Sequence, residues 1–369
     1  MGASWSARGL VNWDEGFSIP GMGLWLDPRR HEPFAFASDA FGEAYADRLI
    51  ATPETVRFLR RHRTKPSFLP SPYRRSFALG EGDMTLWPAG VLPGSAQLAL
   101  RYRGGTLLYF RRILPEPVGL GETLDAPRAD AVLIDCPAGV APQACARRVD
   151  TMAAIRTWAE RVLERNEVPA ILAEPLAAAP AIVAQLAALG SEMRLHWMIY
   201  RTLRVWAAFG VRVPRAWPLR GASRVGQVVV LPWGDARREP AGPATTSAER
   251  DAGGSTGGRR DASGMDALMK VLGTTGADGT AVRMRIAVVH DGTAPPPAGL
   301  HPDEVFLLAF AAGVPEIMTH VQRTGAAEVY LSPWTPPVVG QVLRDLGVAA
   351  VTRLGPPEQL ALGGRGRTP

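Results

Sequence analysis

At 369 residues, 46% of them hydrophobic, the chain has enough apolar material for a large core and too much length for a single one, so two packed domains are expected. Collagen, coiled coil and full disorder are excluded, even with 39 Gly and 33 Pro. Forty-one Lys plus Arg against 35 Asp plus Glu leave +6, and Lys65 and Lys270 are the only lysines, so the cation is almost all Arg, whose planar fork suits phosphate or carboxylate.

The first third reads as short β segments punctuated by Gly and Pro: GLWLD (23–27), PFAFA (33–37), MTLWPA (84–89) and AVLID (131–135). One helix interrupts them. Thr52 caps it, Pro53 occupies the first turn, Glu54 favours its positive end, and Val56 with Leu59 forms the apolar stripe. QLALRY (97–102) and TLLYF (106–110) flank Arg103, Gly104 and Gly105, which predicts a hairpin whose Gly pair supplies the positive φ of a tight turn.

From about Val149 the period lengthens. Met152, Ile155, Trp158, Val162 and Leu163 share a helical face, followed by the strand VPAILA (168–173), a helix near 176–189, MRLHWM (193–198), a helix through Tyr200 and Trp206, and QVVVLPW (227–233). This alternation predicts a parallel sheet with covering helices over 149–233. Residues 234–264 hold no aromatic or large aliphatic side chain and read as a disordered loop. Further βα units follow: RIAVV (285–289), a helix over 314–323 ended by Gly325, AEVYLS (327–332), a helix near 337–346, and VAAVTRL (348–354). They either extend the second unit or return to the first.

Cys136 and Cys145 are the only cysteines, too few for a disulfide framework or a Cys-based zinc site, and a reducing cytosol fits them best. The start lacks the apolar stretch of a signal peptide, and the longest apolar tract, 168–190, is broken by Glu174, Pro175, Pro180 and Gln185. A cytoplasmic protein that crosses no membrane is expected. The six His (31, 62, 196, 290, 301 and 320) show no metal-site spacing, and GGSTGG (253–258) lacks the strand and Gly-Lys-Ser of a phosphate cradle. Asp39, Glu43 and Asp47 are spaced by four, so on a helix they would share a face and could hold a hard cation with His31. Two acid-free basic runs are more informative: Arg57, Arg60, Arg61, Arg63, Lys65, Arg74 and Arg75; then Arg194, Arg201, Arg204, Arg212, Arg215, Arg220 and Arg224, interleaved with Trp197, Tyr200, Trp206 and Trp217. Guanidiniums for phosphates and aromatic faces for bases suit nucleic acid.

Several segments, in order, carry a resemblance: GLWLDPRR (23–30), ATPETVRFLRR (51–61), WPAGVLPGSAQLAL (87–100), GGTLLYFRR (104–112), VPAILAEPLAAAPAIVAQLAAL (168–189) and RTGAAEVYLSPW (323–334). The chain resembles the metallo-β-lactamase-fold nucleases with an inserted β-CASP domain, in particular the bacterial ligase-associated DNA exonucleases, which are similar to mRNA 3′-end processing factors. The resemblance implies an α/β protein: a metallo-β-lactamase-like αββα sandwich with a β-CASP-like α/β insertion. It would divide into a first part at 1–148, the insertion at 149–233, a disordered linker at 234–264, a return to the first domain at 265–360, and a disordered tail at 361–369.

The departures fall on the family's zinc ligands. Its His-x-His-x-Asp-His motif aligns with Asp39, Ala40, Phe41, Gly42, Glu43 and Ala44; the His of Pro-Ala-Gly-His with Val91; the bridging Asp of Thr-Gly-Asp with Arg112; and the last His with Pro333. The Ser-Asp-His-Ala-Asp element falls near 308–312, in LAFAA. A guanidinium at about 4 Å from two dications is repelled by several kcal/mol at intermediate dielectric. The resemblance therefore implies a chain without zinc or another cofactor: an inactive homologue that binds DNA or RNA, or scaffolds a repair or processing step beside a DNA ligase or helicase. Arg57, Arg60, Arg61, Arg63, Arg201 and Arg204 are its candidate phosphate contacts, in the cleft between the domains. The alternatives are an exonuclease with a metal relocated to Asp39 and Glu43, and a protein scaffold using an exposed ring patch around Phe41 and Phe310.

Overall fold

The computed structural model describes residues 5–41, 44–62, 66–116, 118, 120–136, 147–221, 223–233, 282–292 and 300–355. The expected linker at 234–264 and tail at 361–369 lie outside them, as do Glu43, Arg63 and the side chain of Arg61. The chain is of mixed α/β class, with three sheets.

The first sheet runs in chain order from β1 (Asn12–Trp13) and β2 (Phe17–Ile19) through β3 (Leu24–Leu26), β4 (Glu32–Phe36) and β5 (Ala46–Ala51) to β6 (Ser67–Pro70). Helix α1 (Pro53–His62) connects its last two strands, and the Thr55 amide donates to Thr52 Oγ1 (3.3 Å), the cap expected from sequence. In the second sheet, β7 (Phe77–Leu79), β8 (Gly82–Pro88), β9 (Ala96–Tyr102) and β10 (Gly105–Phe110) form an antiparallel meander. Arg103 (φ +50°) and Gly104 (φ +88°) make the tight turn between β9 and β10, so the predicted hairpin forms with Gly105 already paired to Tyr102. Beyond β10 the sheet continues in parallel through β11 (Ala131–Ile134), β18 (Glu328–Leu331) and β19 (Ala350–Arg353).

Strand alternation decides how these two sheets pack. Phe36, Ile50, Leu107, Tyr109 and Leu133 point into a shared core between the sheets. Their neighbours face outward: Ala35 and Leu49 pack against Val56 and Leu59 of α1, while Leu108, Phe110, Val132 and Ile134 pack against helices at 314–324 and 337–345. Each fully buried Phe or Leu in these layers contributes about 2 kcal/mol.

Between β11 and β18 the chain builds a third sheet. Here β12 (Val168–Ala173), β13 (Glu192–Leu195), β14 (Trp217–Pro218), β15 (Gln227–Pro232), β16 (Met284–His290) and β17 (Glu304–Leu307) lie in the order β14-β13-β15-β12-β16-β17, all parallel. Helices α2 (Arg148–Glu164), α3 (Ala178–Leu186) and α4 (Trp197–Ala207) pack on one face. The expectation that 265–360 rejoins the first part is corrected for 284–307, because β16 pairs with β12 over Val168 to Leu172 and carries β17 with it. The return begins with α5 (Val314–Thr324) and ends with α6 (Pro337–Asp345) and β19. Among the described residues no helix is long and apolar enough to cross a membrane.

Candidate functional site

Strand ends from all three sheets meet at one place. Asp27 follows β3, Asp39 follows β4, Arg111 and Arg112 follow β10, Asp135 follows β11, Ser332 and Thr335 follow β18, and Glu174 follows β12. Parallel strands deliver these residues together, because their carboxyl ends open onto the same edge.

Asp27 is buried and accepts from the Ser38 amide and the Tyr109 hydroxyl, both at 2.9 Å. Burial pushes its carboxyl up to about 6, against the opposing charge of Arg111 and with Asp39 adding to the rise. Asp39 accepts from the Phe41 amide and from Arg112 Nη1, both at 2.9 Å, and the Arg112 guanidinium lies 4.6 Å from the centre of the Phe41 ring. Asp135 is 1% exposed and stands 3.7 Å from both Arg29 Nη2 and Arg111 Nε, with no hydrogen-bond partner for its oxygens among the described residues. Arg29 in turn lies 4.3 Å from the ring centre of Trp334. Glu174, its carboxyl raised by burial, accepts the amides of Leu176, Ala177 and Ala178 ahead of α3, and feels the charge of Arg112.

Four carboxyl groups, of Asp27, Asp39, Asp135 and Glu174, thus face the three guanidiniums of Arg29, Arg111 and Arg112. Among the described residues the cluster holds no imidazole, and Arg112 is bonded to Asp39. Among the described residues no group of three or more His, Cys, Asp or Glu could share a metal.

The site residues expected from sequence divide accordingly. Asp39, Phe41 and Arg112 come together. Val91 lies beside them in position but within hydrocarbon, in a cluster with Ala40, Leu92, Phe58, Ala173 and Trp206 that fills the seam between the first two sheets and the third. Ala44 is buried against the outer face of the first sheet, and Pro333 is exposed on the loop after β18. The shared helical face of Asp39, Glu43 and Asp47 is corrected: Asp47 lies on β5, exposed, with His31 Nε2 at 3.3 Å, while Asp39 is held by Arg112. The exposed ring patch is also corrected, since Phe41 and Phe310 are half-buried and packed on the seam cluster. The seam there is filled by packed apolar side chains.

The arginines lie elsewhere. Helix α1 packs against α4, with Phe58 and Trp206 ring centres 6.1 Å apart, which brings exposed Arg57, Arg60, Arg201 and Arg204 onto two adjoining helices. No ion pair engages any of these four among the described residues; Arg60 lies 5.6 Å from the Phe68 ring centre. Trp197, at the start of α4, is 57% exposed.

Asp27, Asp135, Arg29, Arg111 and Glu174 were not legible as site residues. Their signal was a charged residue closing each apolar strand, in GLWLD and AVLID, where a solvated turn is the ordinary expectation. No family model matches the chain, and no curated protein matches it.

Proposed function

We propose that this chain is a non-hydrolytic protein of the metallo-β-lactamase and β-CASP kind that binds single-stranded DNA or RNA through its surface in a repair or processing step. The layer order of helix, two facing sheets and helices, with a parallel sheet inserted between β11 and β18, supports that kinship. The observation that carries the reading is the Arg112–Asp39 pair: a guanidinium is built into the place where the family resemblance calls for a metal-bridging carboxylate. Nothing in such a site lowers the pKa of a water toward neutrality. The arginines of α1 and α4 supply the polyanion contacts.

The test joins elemental analysis to binding. Protein purified without chelator is expected to carry no stoichiometric zinc and to leave labelled DNA and RNA intact. Fluorescence anisotropy is expected to show single-strand affinity that falls steeply between about 50 and 200 mM salt. Replacing Arg57, Arg60, Arg201 and Arg204 together by Ala should flatten the log–log salt dependence by roughly 3, at about 0.7 per lost phosphate contact. Two zinc ions per chain with nuclease activity, or no binding at low salt, overturns the reading.

A further inference from the structure

The outer face of the second sheet is only partly covered. Helices α5 and α6 lie over Leu108, Phe110, Val132 and Ile134, whereas on β8 the buried Met84 and Leu86 alternate with half-exposed Asp83, Thr85 and Trp87. Those three, with Ala99 and Arg101 of β9 and Thr106 of β10, line a hollow of about 460 Å³, within the roughly 300–1,000 Å³ of small-molecule sites. Register explains its shape. Thr85 stands opposite Ala99 and Asp83 opposite Arg101, so two small side chains floor the face between an indole and an ion pair, roughly 13 Å apart along β8.

The lining carries polar capacity that the fold does not use. The hydroxyls of Thr85 and Thr106 and the indole N–H of Trp87 have no hydrogen-bond partner among the described residues. Its charges are balanced. Asp83 and Arg101 pair at 3.0 Å, and Asp130 adds a carboxylate beside the hollow, its Oδ2 accepting from the Thr106 amide at 2.8 Å. Arg128, which also lines the hollow, lies against Gly325 at the end of α5, where a β-carbon would meet its Nη1 at 2.7 Å, so its charge faces the negative end of that helix. A polyanion therefore gains little by entering, and a neutral ligand with many hydroxyls gains most.

We infer that this hollow binds an uncharged pyranose sugar, with the C–H face of the ring on Trp87 and its hydroxyls on the Asp83–Arg101 pair and the two threonines. Each sugar hydroxyl both donates and accepts, so a row of them calls for acceptor and donor side by side, which a carboxylate next to a guanidinium supplies. An indole offers the negative face of its π-system to the C–H bonds of the ring. The assignment is independent of the nucleic-acid reading above, which uses arginines of α1 and α4 that do not line this hollow.

Saturation-transfer NMR on the whole protein, with the methyl glycosides of glucose, galactose and mannose and the open-chain alditol of each, provides the test. At least one glycoside is expected to bind saturably in the millimolar range, and its alditol about tenfold more weakly, because an open chain presents no C–H face. Trp87→Ala should abolish binding, and Trp87→Phe should restore part of it. Asp83→Asn changes an exposed side chain and should weaken binding by about tenfold, so it reads the site even where Trp87→Ala fails to fold. Full binding by Asp83→Asn, or by Trp87→Ala, overturns the assignment. So does an alditol that binds as tightly as its glycoside, or the absence of saturation by any glycoside up to about 50 mM. Displacement of the glycoside by a single-stranded oligonucleotide overturns it as well, since the hollow would then belong to a polyanion surface.

Discussion

Replacing Arg112 by Met leaves the Asp39 carboxylate, 5% exposed, without the guanidinium bonded to it. Stranding a buried charge typically costs about 3–5 kcal/mol, while replacing both partners is often close to neutral. Urea denaturation should therefore show Arg112→Met strongly destabilised, and Asp39→Asn combined with Arg112→Met recovering most of the loss. A single-variant loss under about 1 kcal/mol, the size of an exposed pair, would mean that solvent screens the site. The same arithmetic explains how guanidiniums are buried here without unfolding the edge: Asp27, Asp39 and Asp135 supply the counter-charges. Tyr109, whose hydroxyl is held well above its ordinary pKa by burial, donates to Asp27 and fixes that carboxylate against the second sheet.

At the scale of elements, α5 docks on the second sheet through a polar contact. His320 is 2% exposed; its Nε2 lies 2.7 Å from Gln97 Oε1 on β9, and Gln97 Nε2 donates to the Pro88 and Asp125 carbonyls. Burial pulls the imidazole down to about 4, with Arg323 adding to the shift. The fold thus favours the neutral ring, so this contribution is intact above about pH 6.5 and is lost as pH falls toward 4. Asp27 runs the other way, since a carboxyl raised to about 6 carries a penalty that is relieved on acidification. Comparison with His320→Gln isolates the ring. The stability advantage of wild type over that variant should shrink between pH 6.5 and 4 by on the order of 3 kcal/mol, read from urea midpoints at each pH. A gap independent of pH would mean that the imidazole titrates normally. Most elements around this contact were legible because their signals are local: the cap at Thr52, the Gly104 turn, and the 3.6-residue period of α2 and α5. Membership of the third sheet was not. RIAVV reads as a buried parallel strand in either sheet, and only its pairing with β12, more than a hundred residues away, decides between them. The Arg112–Asp39 bond was hidden for a similar reason, since a charge at a strand end shows its sign in the sequence but not its partner.

For the molecule as a whole, one apolar cluster ties the inserted sheet to the layers that bracket it in sequence. Ala40, Phe58, Val91, Leu92 and Leu114 from the first two sheets share one apolar cluster with Ala173, Ile199, Leu203 and Trp206 of the third. Two parts joined this way should unfold as one, although chains of this length often unfold in stages. Wild type is expected to give a single urea transition with coincident curves by tryptophan fluorescence and far-UV circular dichroism. Phe58→Ala removes the ring that meets Trp206 and should cost about 3–4 kcal/mol as a cavity. Because that cost falls on the coupling between the parts, the two probes should separate in the variant. A variant that loses stability while its curves stay coincident would place the coupling outside the Phe58–Trp206 contact, on the charged strand ends, where Glu174 of the third sheet faces Arg112 of the second.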